Sequence, residues 1–414
     1  AGRRVDPVWH ILRANIRAPE LVVGDMEAQV KASHIGAQGM LALIAQHGLT
    51  TLQAAADDLM DYSERRLRAA ISALPDGDYS ASTQIDGFLD DPDPGRSNLT
   101  ICATVKVRGD ALTVDLTGTA PQVPDKPINM PLVGTVDCAV WLTVRSILLD
   151  AAVVGPVPQN EGLTRPITIV APLGCLANPI FPAPVIARFC SGNALADTVM
   201  KALALAVPQQ VSAGIGNLRV VALSGLNHGN HWVHMEIMEG SYGGRFGKDG
   251  MDAVDTLYAN TRNNPVEDIE SHVPLRIERY ELREESMAPG AWRGGIGTIR
   301  EFRFLADAGF SIEGDGHAHA PWGFQGGSDG HTASLTLVAA DGTVRALPSK
   351  VPYARVKAGD RLIAVGPSGG GYGDASLRAT ALVARDVADG LISAATALRD
   401  FGVTIHKDGT GERV

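Results

Sequence analysis

The chain has 414 residues, of which 45% are hydrophobic and 20% charged, and its formal net charge is −10 at pH 7. This is too long for one ordinary core and predicts roughly two to three lobes. No Lys/Arg-rich block is present to neutralise phosphates, which excludes a nucleic-acid partner, and no apolar run approaches the ~20 residues that span a bilayer. With no signal-peptide pattern at the start, a soluble, cytoplasmic protein is expected. Cys102, Cys138, Cys175 and Cys190 include no CxxC pair, which argues against a disulfide framework or a thiolate zinc site and for a reducing compartment.

Apolar residues recur at helical spacing from Leu21 to Ile44 after Pro19 and stop at Gly48, a plausible C-cap. A second helix is expected with its N-cap at Thr50 or Thr51, its apolar face on Leu52, Leu59, Leu67, Ile71 and Leu74, and its end at the Pro75-Asp76-Gly77 turn. Residues 1–76 therefore read as a helical hairpin. The period then changes. Leu99 to Val107 and Leu112 to Leu116 alternate about Arg108-Gly109-Asp110, a β-hairpin pattern. A Pro-rich crossing leads to a buried helix over about 133–149, a short strand over 167–171 and a helix near 193–206. Strands are expected at 220–223, 231–238, 275–282, 298–304, 335–338 and 361–365, followed by a Gly-rich turn and a helix-strand-helix tail ending near Gly402. The fold class is α+β with mixed, largely antiparallel sheets. Four segments are expected: 1–76 helical, 77–175 β-rich with one buried helix, 176–300 α+β, and 301–414 β-rich with a terminal helix.

Chemistry concentrates in a few places. Ser368-Gly369-Gly370-Gly371-Tyr372-Gly373-Asp374 follows a strand, where clustered amides can form an anion-binding nest; the same pattern suits a tight turn packed under Tyr372. Glu313-Gly314-Asp315-Gly316-His317-Ala318-His319 spaces Asp315, His317 and His319 two apart, so an extended chain sets all three on one face, as a metal site or general acid/base pair needs. A polar loop bonded to its own backbone is the more ordinary source of that spacing. The three histidines at 228, 231 and 234 are three apart, which in a strand sends successive rings to opposite faces, so a shared metal is not expected. Arg188-Phe189-Cys190-Ser191-Gly192-Asn193 precedes a predicted helix, where free amides and the Arg188 fork favour an anion, Ser191 suits an N-cap, and Cys190 suits a buried structural role. The run Tyr258 to Glu267, including Asn260, carries side-chain amides able to read both edges of an amide-like ligand.

These segments, in this order, resemble the hydantoinase B/oxoprolinase family. The resemblance is carried by Ile16–Glu20 with Gly24–Gln29, Val114–Gly118, Asn160-Glu161-Gly162 with Arg165-Pro166, and Gly243–Gly250. It continues through Asn260-Thr261 with Asn264–Glu267, Arg276–Tyr280, Trp292–Gly297, Pro321-Trp322-Gly323 with Gly326-Gly327, Leu347–Lys350 and Gly369–Asp374. It implies the C-terminal portion of a B-type subunit of an ATP-dependent amidohydrolase that opens a cyclic amide or imide. A hydantoinase A-type partner subunit would use ATP with Mg to activate the carbonyl. Related alternatives are the large subunit of an acetone- or acetophenone-type carboxylase and a non-catalytic structural fragment of such a complex. The family's upstream segment, whose Asn-Asp-Pro and Gly-Gly-Thr-His motifs resemble a divalent-metal site, has no counterpart in this sequence; it is expected in an upstream portion or a separate chain, so no metal ligand is carried over to any residue here. On this basis the expected catalytic residues are Asp315, His317 and Lys350, and the expected substrate-binding residues are Arg188, Asn193, Asn260, Gly369, Gly370, Gly371 and Gly373.

Overall fold

The computed structural model describes residues 3–257 and 259–414; Ala1, Gly2 and Tyr258, the head of the amide-rich run, lie outside the described residues. Three helices open the chain: α1 Asp6–Asn15, α2 Pro19–His47 and α3 Leu49–Ser72. Gly48, at φ 81°, separates the last two and serves as N-cap of α3 in place of the expected Thr50 or Thr51. α3 buries Leu67 and Ile71 against the first core, whereas α2 buries only Val23 and leaves Leu21, Val30, Met40 and Leu41 exposed.

The first sheet takes β1 Gly77–Asp86, β2 Asn98–Arg108, β3 Ala111–Asp115 and β4 Ile167–Val170 in the order β1-β2-β3-β4. Its pairings are antiparallel except for the parallel β3/β4 pair. Alternation does what the pattern requires: Leu99, Ile101, Ala103, Val105 and Val107 all point to the core side of β2 and are buried. Helices α4 Asp137–Leu148 and α5 Ala151–Val154 lie between β3 and β4 in the chain, and α6 Arg188–Ala204 follows β4. α4 and α6 contribute Val140, Val144, Leu195, Val199 and Leu203 to that core. α6 is buried nearly all round, as a helix inside a protein must be. It begins at Arg188, five residues before the expected start, with Ala187 as N-cap; Ser191 is therefore a buried residue of the first turn and not a cap.

The second core lies between two more sheets. β5 Arg219–Asn227, β6 Asn230–Met238, α7 Val266–His272, β7 Leu275–Leu282, β8 Thr298–Phe304 and β9 Ala308–Glu313 lead to β10 Ser334–Val338, β11 Val344–Leu347, β12 Lys350–Val356 and β13 Arg361–Val365. The strands sort into the orders β11-β10-β13-β8-β7 and β12-β9-β5-β6, all antiparallel, with Val221, Leu223, Phe302, Phe304, Phe310 and Ile312 between them. The tail is α8 Thr380–Ala388, α9 Ala394–Phe401 and a small hairpin, β14 Val403–Ile405 with β15 Gly411–Arg413, so two helices precede the strands where a helix-strand-helix order was expected. Among the described residues, no helix is long and apolar enough to cross a membrane.

Candidate active site

A cleft of about 590 Å3 opens where the cores meet, lined by the end of β1, by α6, by Ile215 and Asn217, and by the loop after β9. Asp86, the last residue of β1, holds that loop. Its carboxylate accepts the His317 amide at 2.7 Å and the Ala318 amide at 3.1 Å, while its own amide donates to Asp315 Oδ1 at 2.8 Å. Lys350 Nζ ties the same two segments together, donating to the Asp86 carbonyl at 2.6 Å and to the Gly314 carbonyl at 2.8 Å. The hydrogen bonds of Asp86 join residues more than 200 positions apart.

Of the expected catalytic trio, only Asp315 lines the cleft. Gly316 takes φ 78°, a left-handed turn that breaks the extended alternation on which the three-residue face depended. His317 consequently turns towards Asp86, Arg219 and Lys350, while His319 lines the cleft and bonds Asn98 Oδ1 at 2.8 Å. Burial pushes the His317 imidazole down to about 4, with Asp86 opposing and Arg219 and Lys350 adding to the shift, so the ring is neutral at physiological pH. Lys350 is buried beneath the cleft with its ammonium spent on main-chain carbonyls.

α6 supplies the residues that sequence reasoning missed. Asp197 lines the cleft, is 7% exposed, and accepts the Trp322 indole N–H at 2.8 Å and the Ile215 amide at 3.3 Å. Burial raises its carboxyl to about 6; the two hydrogen bonds and Lys201 pull the other way, and Asp315 adds repulsion. Lys201, one turn further on, sits 5.5 Å from the centroid of the Trp322 ring. Asn217 donates from Nδ2 to the Cys190 carbonyl at 2.9 Å and to Asp315 Oδ2 at 3.4 Å, whereas its Oδ1 is buried and has no partner among the described residues. Asp315 itself is raised by burial, against the pull of Lys350.

The N-terminus of α6 does receive a carboxyl group, but from within the chain. Glu313 Oε1 accepts the Cys190 amide at 3.1 Å, filling the place a ligand anion was expected to take. Burial nevertheless outweighs that bond and lifts the Glu313 carboxyl to about 7. Cys190 is buried, donates from Sγ to the Leu218 carbonyl at 3.3 Å, and has its thiol pushed well up by burial, so it is no thiolate nucleophile. Arg188 donates to the Val185 carbonyl and packs over Phe189 outside the cleft, and Asn193 is buried within α6. Asn260 is exposed and does not line the cleft; its neighbours Thr261 and Asn264 bond Asp255 and Glu236.

The Gly-rich turn is corrected as well. The amides of Gly369, Gly370, Gly371 and Gly373 donate to the carbonyls of Gly295, Gly214, Ser328 and Phe324, so the expected anion nest has no free donors there. Glycine is needed because two backbone segments approach closely: a Cβ on Gly370 would lie 2.0 Å from the Trp322 carbonyl oxygen. The turn fixes the backbone that presents Trp322 to Asp197. His228, His231 and His234 do not converge; His234 Nε2 pairs with Glu236 at 2.8 Å, and the described residues contain no group of three His, Cys, Asp or Glu side chains fit to hold a metal ion.

A sandwich of antiparallel sheets, a β-sheet packed with helices, and a polar cleft between them define the class of protein. The chain belongs to the hydantoinase B/oxoprolinase family, whose profile matches residues 1–375. It is 62% identical over 399 residues to a protein of Pseudomonas sp. strain NS671 named as the B component of a D-/L-hydantoinase, covering 96% of this chain and 67% of that one. The crystal structure of the ATP-dependent caprolactamase from Pseudomonas jessenii superposes with a TM-score of 0.86 at 28% identity, over 99% of this chain and 71% of that one. Nucleotide-free acetone carboxylase shares the fold, with a TM-score of 0.84 at 15% identity over 99% of this chain and 60% of its own.

Proposed function

We propose that this chain forms the cleft-bearing part of a B-type subunit in an ATP-dependent hydrolase that opens a cyclic amide or imide, working with an A-type partner subunit. The reading is carried by one group in the cleft: Asp197, a buried carboxyl raised to about 6. Such a group exchanges protons close to neutral pH, as the hydrolysis of an amide requires. Two kinds of relative add support, one named for hydantoinase and one for ATP-dependent caprolactamase.

In this reading the nucleotide and its magnesium are the partner's; the amides of the Gly369–Gly373 turn are all engaged and offer a phosphate no donor. Once the carbonyl carbon has been made electrophilic, Asp197 accepts a proton from the attacking water. The new C–O bond forms, the C–N bond breaks, and Asp197 returns the proton to the departing nitrogen. Trp322 keeps the Asp197 carboxylate oriented through its indole N–H. Asp315 holds Asn217 in place.

In the reconstituted complex, Asp197→Asn is expected to lower kcat for ring opening on the order of a hundredfold or more with little change in KM. Unchanged kcat would remove Asp197 from the mechanism. Turnover that depends on bicarbonate would identify a carboxylase instead, since hydrolysis has no use for it.

A further inference from the structure

A second recess, about 280 Å3, lies between α4, the end of α6 and the segment 242–251, and shares no lining residue with the cleft. Its walls are apolar, with Leu142, Ile147, Met200 and Met251 among them, but its rim is not. Arg245 and Lys248 exchange both main-chain hydrogen bonds at 3.0 Å across the Phe246-Gly247 turn, so they form a directly opposed pair whose side chains leave the ribbon on the same side. Like charges set opposite each other are unfavourable unless an anion lies between them. Among the described residues no carboxylate pairs with either: Asp249, which also lines the recess, has its two oxygens committed to Arg378 at 2.6 Å and 2.8 Å. On a chain of net charge −10 this is a local cationic exception.

A third polar group faces the same space. The Tyr242 hydroxyl accepts the Leu257 amide at 2.8 Å, leaving its proton for an acceptor, and burial holds that phenol above its ordinary value, so it remains a donor. Two cations and one hydroxyl donor at the mouth of an apolar recess match a carboxylate head on a short aliphatic body. A recess of this volume is below the range that accommodates drug-sized ligands, which fits a molecule of few heavy atoms.

We propose that this recess is a binding site for small aliphatic carboxylates, with the head group between Arg245 and Lys248 and the chain against Leu142, Ile147, Met200 and Met251. The proposal is independent of the ring-opening reading. The test is calorimetric titration of the full chain with hexanoate, hexan-1-ol and inorganic phosphate, at low and at high salt. Hexanoate should bind saturably and more weakly as salt rises, and Arg245→Gln and Lys248→Gln should each weaken it on the order of tenfold. Ser146→Trp, an exposed change on α4 at the recess, should remove binding, and hexanoate should slow amide exchange over 242–251 in the parent alone. Equal affinity for hexan-1-ol or for phosphate, or hexanoate binding unaltered in the double Gln variant, would overturn the proposal.

Discussion

Replacing Asp197 by Asn tests the electrostatics of the cleft through stability alone, with no partner or substrate needed. Burial raises this carboxyl from 3.8 to about 6. The folded state therefore holds the proton more tightly than the unfolded chain, and the stabilisation this confers is fully present below pH 4 and lost as the pH rises through about 6. A shift of roughly two pH units is worth about 3 kcal/mol. Asn cannot titrate, so the variant lacks that slope. It keeps only one acceptor oxygen for the two donors, Trp322 Nε1 and the Ile215 amide, and leaving one buried donor unmet costs about 1–3 kcal/mol. The variant should therefore be less stable than the parent at pH 4.5 and equal or better at pH 8. Glu313 and His317 also titrate between these limits, in opposite senses, but they do so in both proteins and cancel in the difference. Urea denaturation of both proteins at the two pH values measures this directly. The same stability difference at both would refute the placement of Asp197 as a buried, ionising group.

Lys350→Met strands the Asp86 and Gly314 carbonyls and leaves Asp315 and Glu313 without their nearby cation, so a loss of about 3–5 kcal/mol is expected by denaturation; a change under about 0.5 kcal/mol would show that the ammonium is no clamp. Gly370→Ala drives a Cβ to 2.0 Å from the Trp322 carbonyl oxygen and should cost about 3 kcal/mol or more, whereas Gly36→Ala in α2, with nothing within 4 Å, should be neutral or stabilising by up to about 1 kcal/mol. His317→Ala should leave ring opening within about threefold of the parent between pH 6 and 8, because the imidazole lies outside the cleft and is already neutral there; a hundredfold fall would return it to the mechanism.

What the sequence disclosed follows from which interactions are local. The β2/β3 hairpin was legible because Leu99 to Val107 alternates strictly and Gly109, at φ 57°, marks the turn. β1 was not, since Ser80, Ser82 and Gln84 share its length with Ala81 and Thr83, and only pairing with β2 declares it a strand. Asp86 escaped notice with it. The loop 313–319 was found as a place of interest, but its geometry turns on one positive φ at Gly316. Asp197 offered no signal beyond an acid in an apolar helix; its partner Trp322 is 125 positions away. The start of α6 was misplaced because its first turn is satisfied by Glu313, a carboxylate from β9, where a local capping sequence was expected. The Gly-rich turn was located correctly and its purpose left open: close packing between backbone segments and anion binding both demand glycine, and only the hydrogen-bond partners tell them apart.

The central claim is that this cleft acts only inside a nucleotide-driven complex. Ring opening of a hydantoin or a lactam should be measured with the chain alone, with the A-type partner, and with partner plus ATP and magnesium. Turnover in the last mixture only, falling away in Asp197→Asn, is the expected result; ring opening by the chain by itself, with neither companion nor ATP, would contradict it.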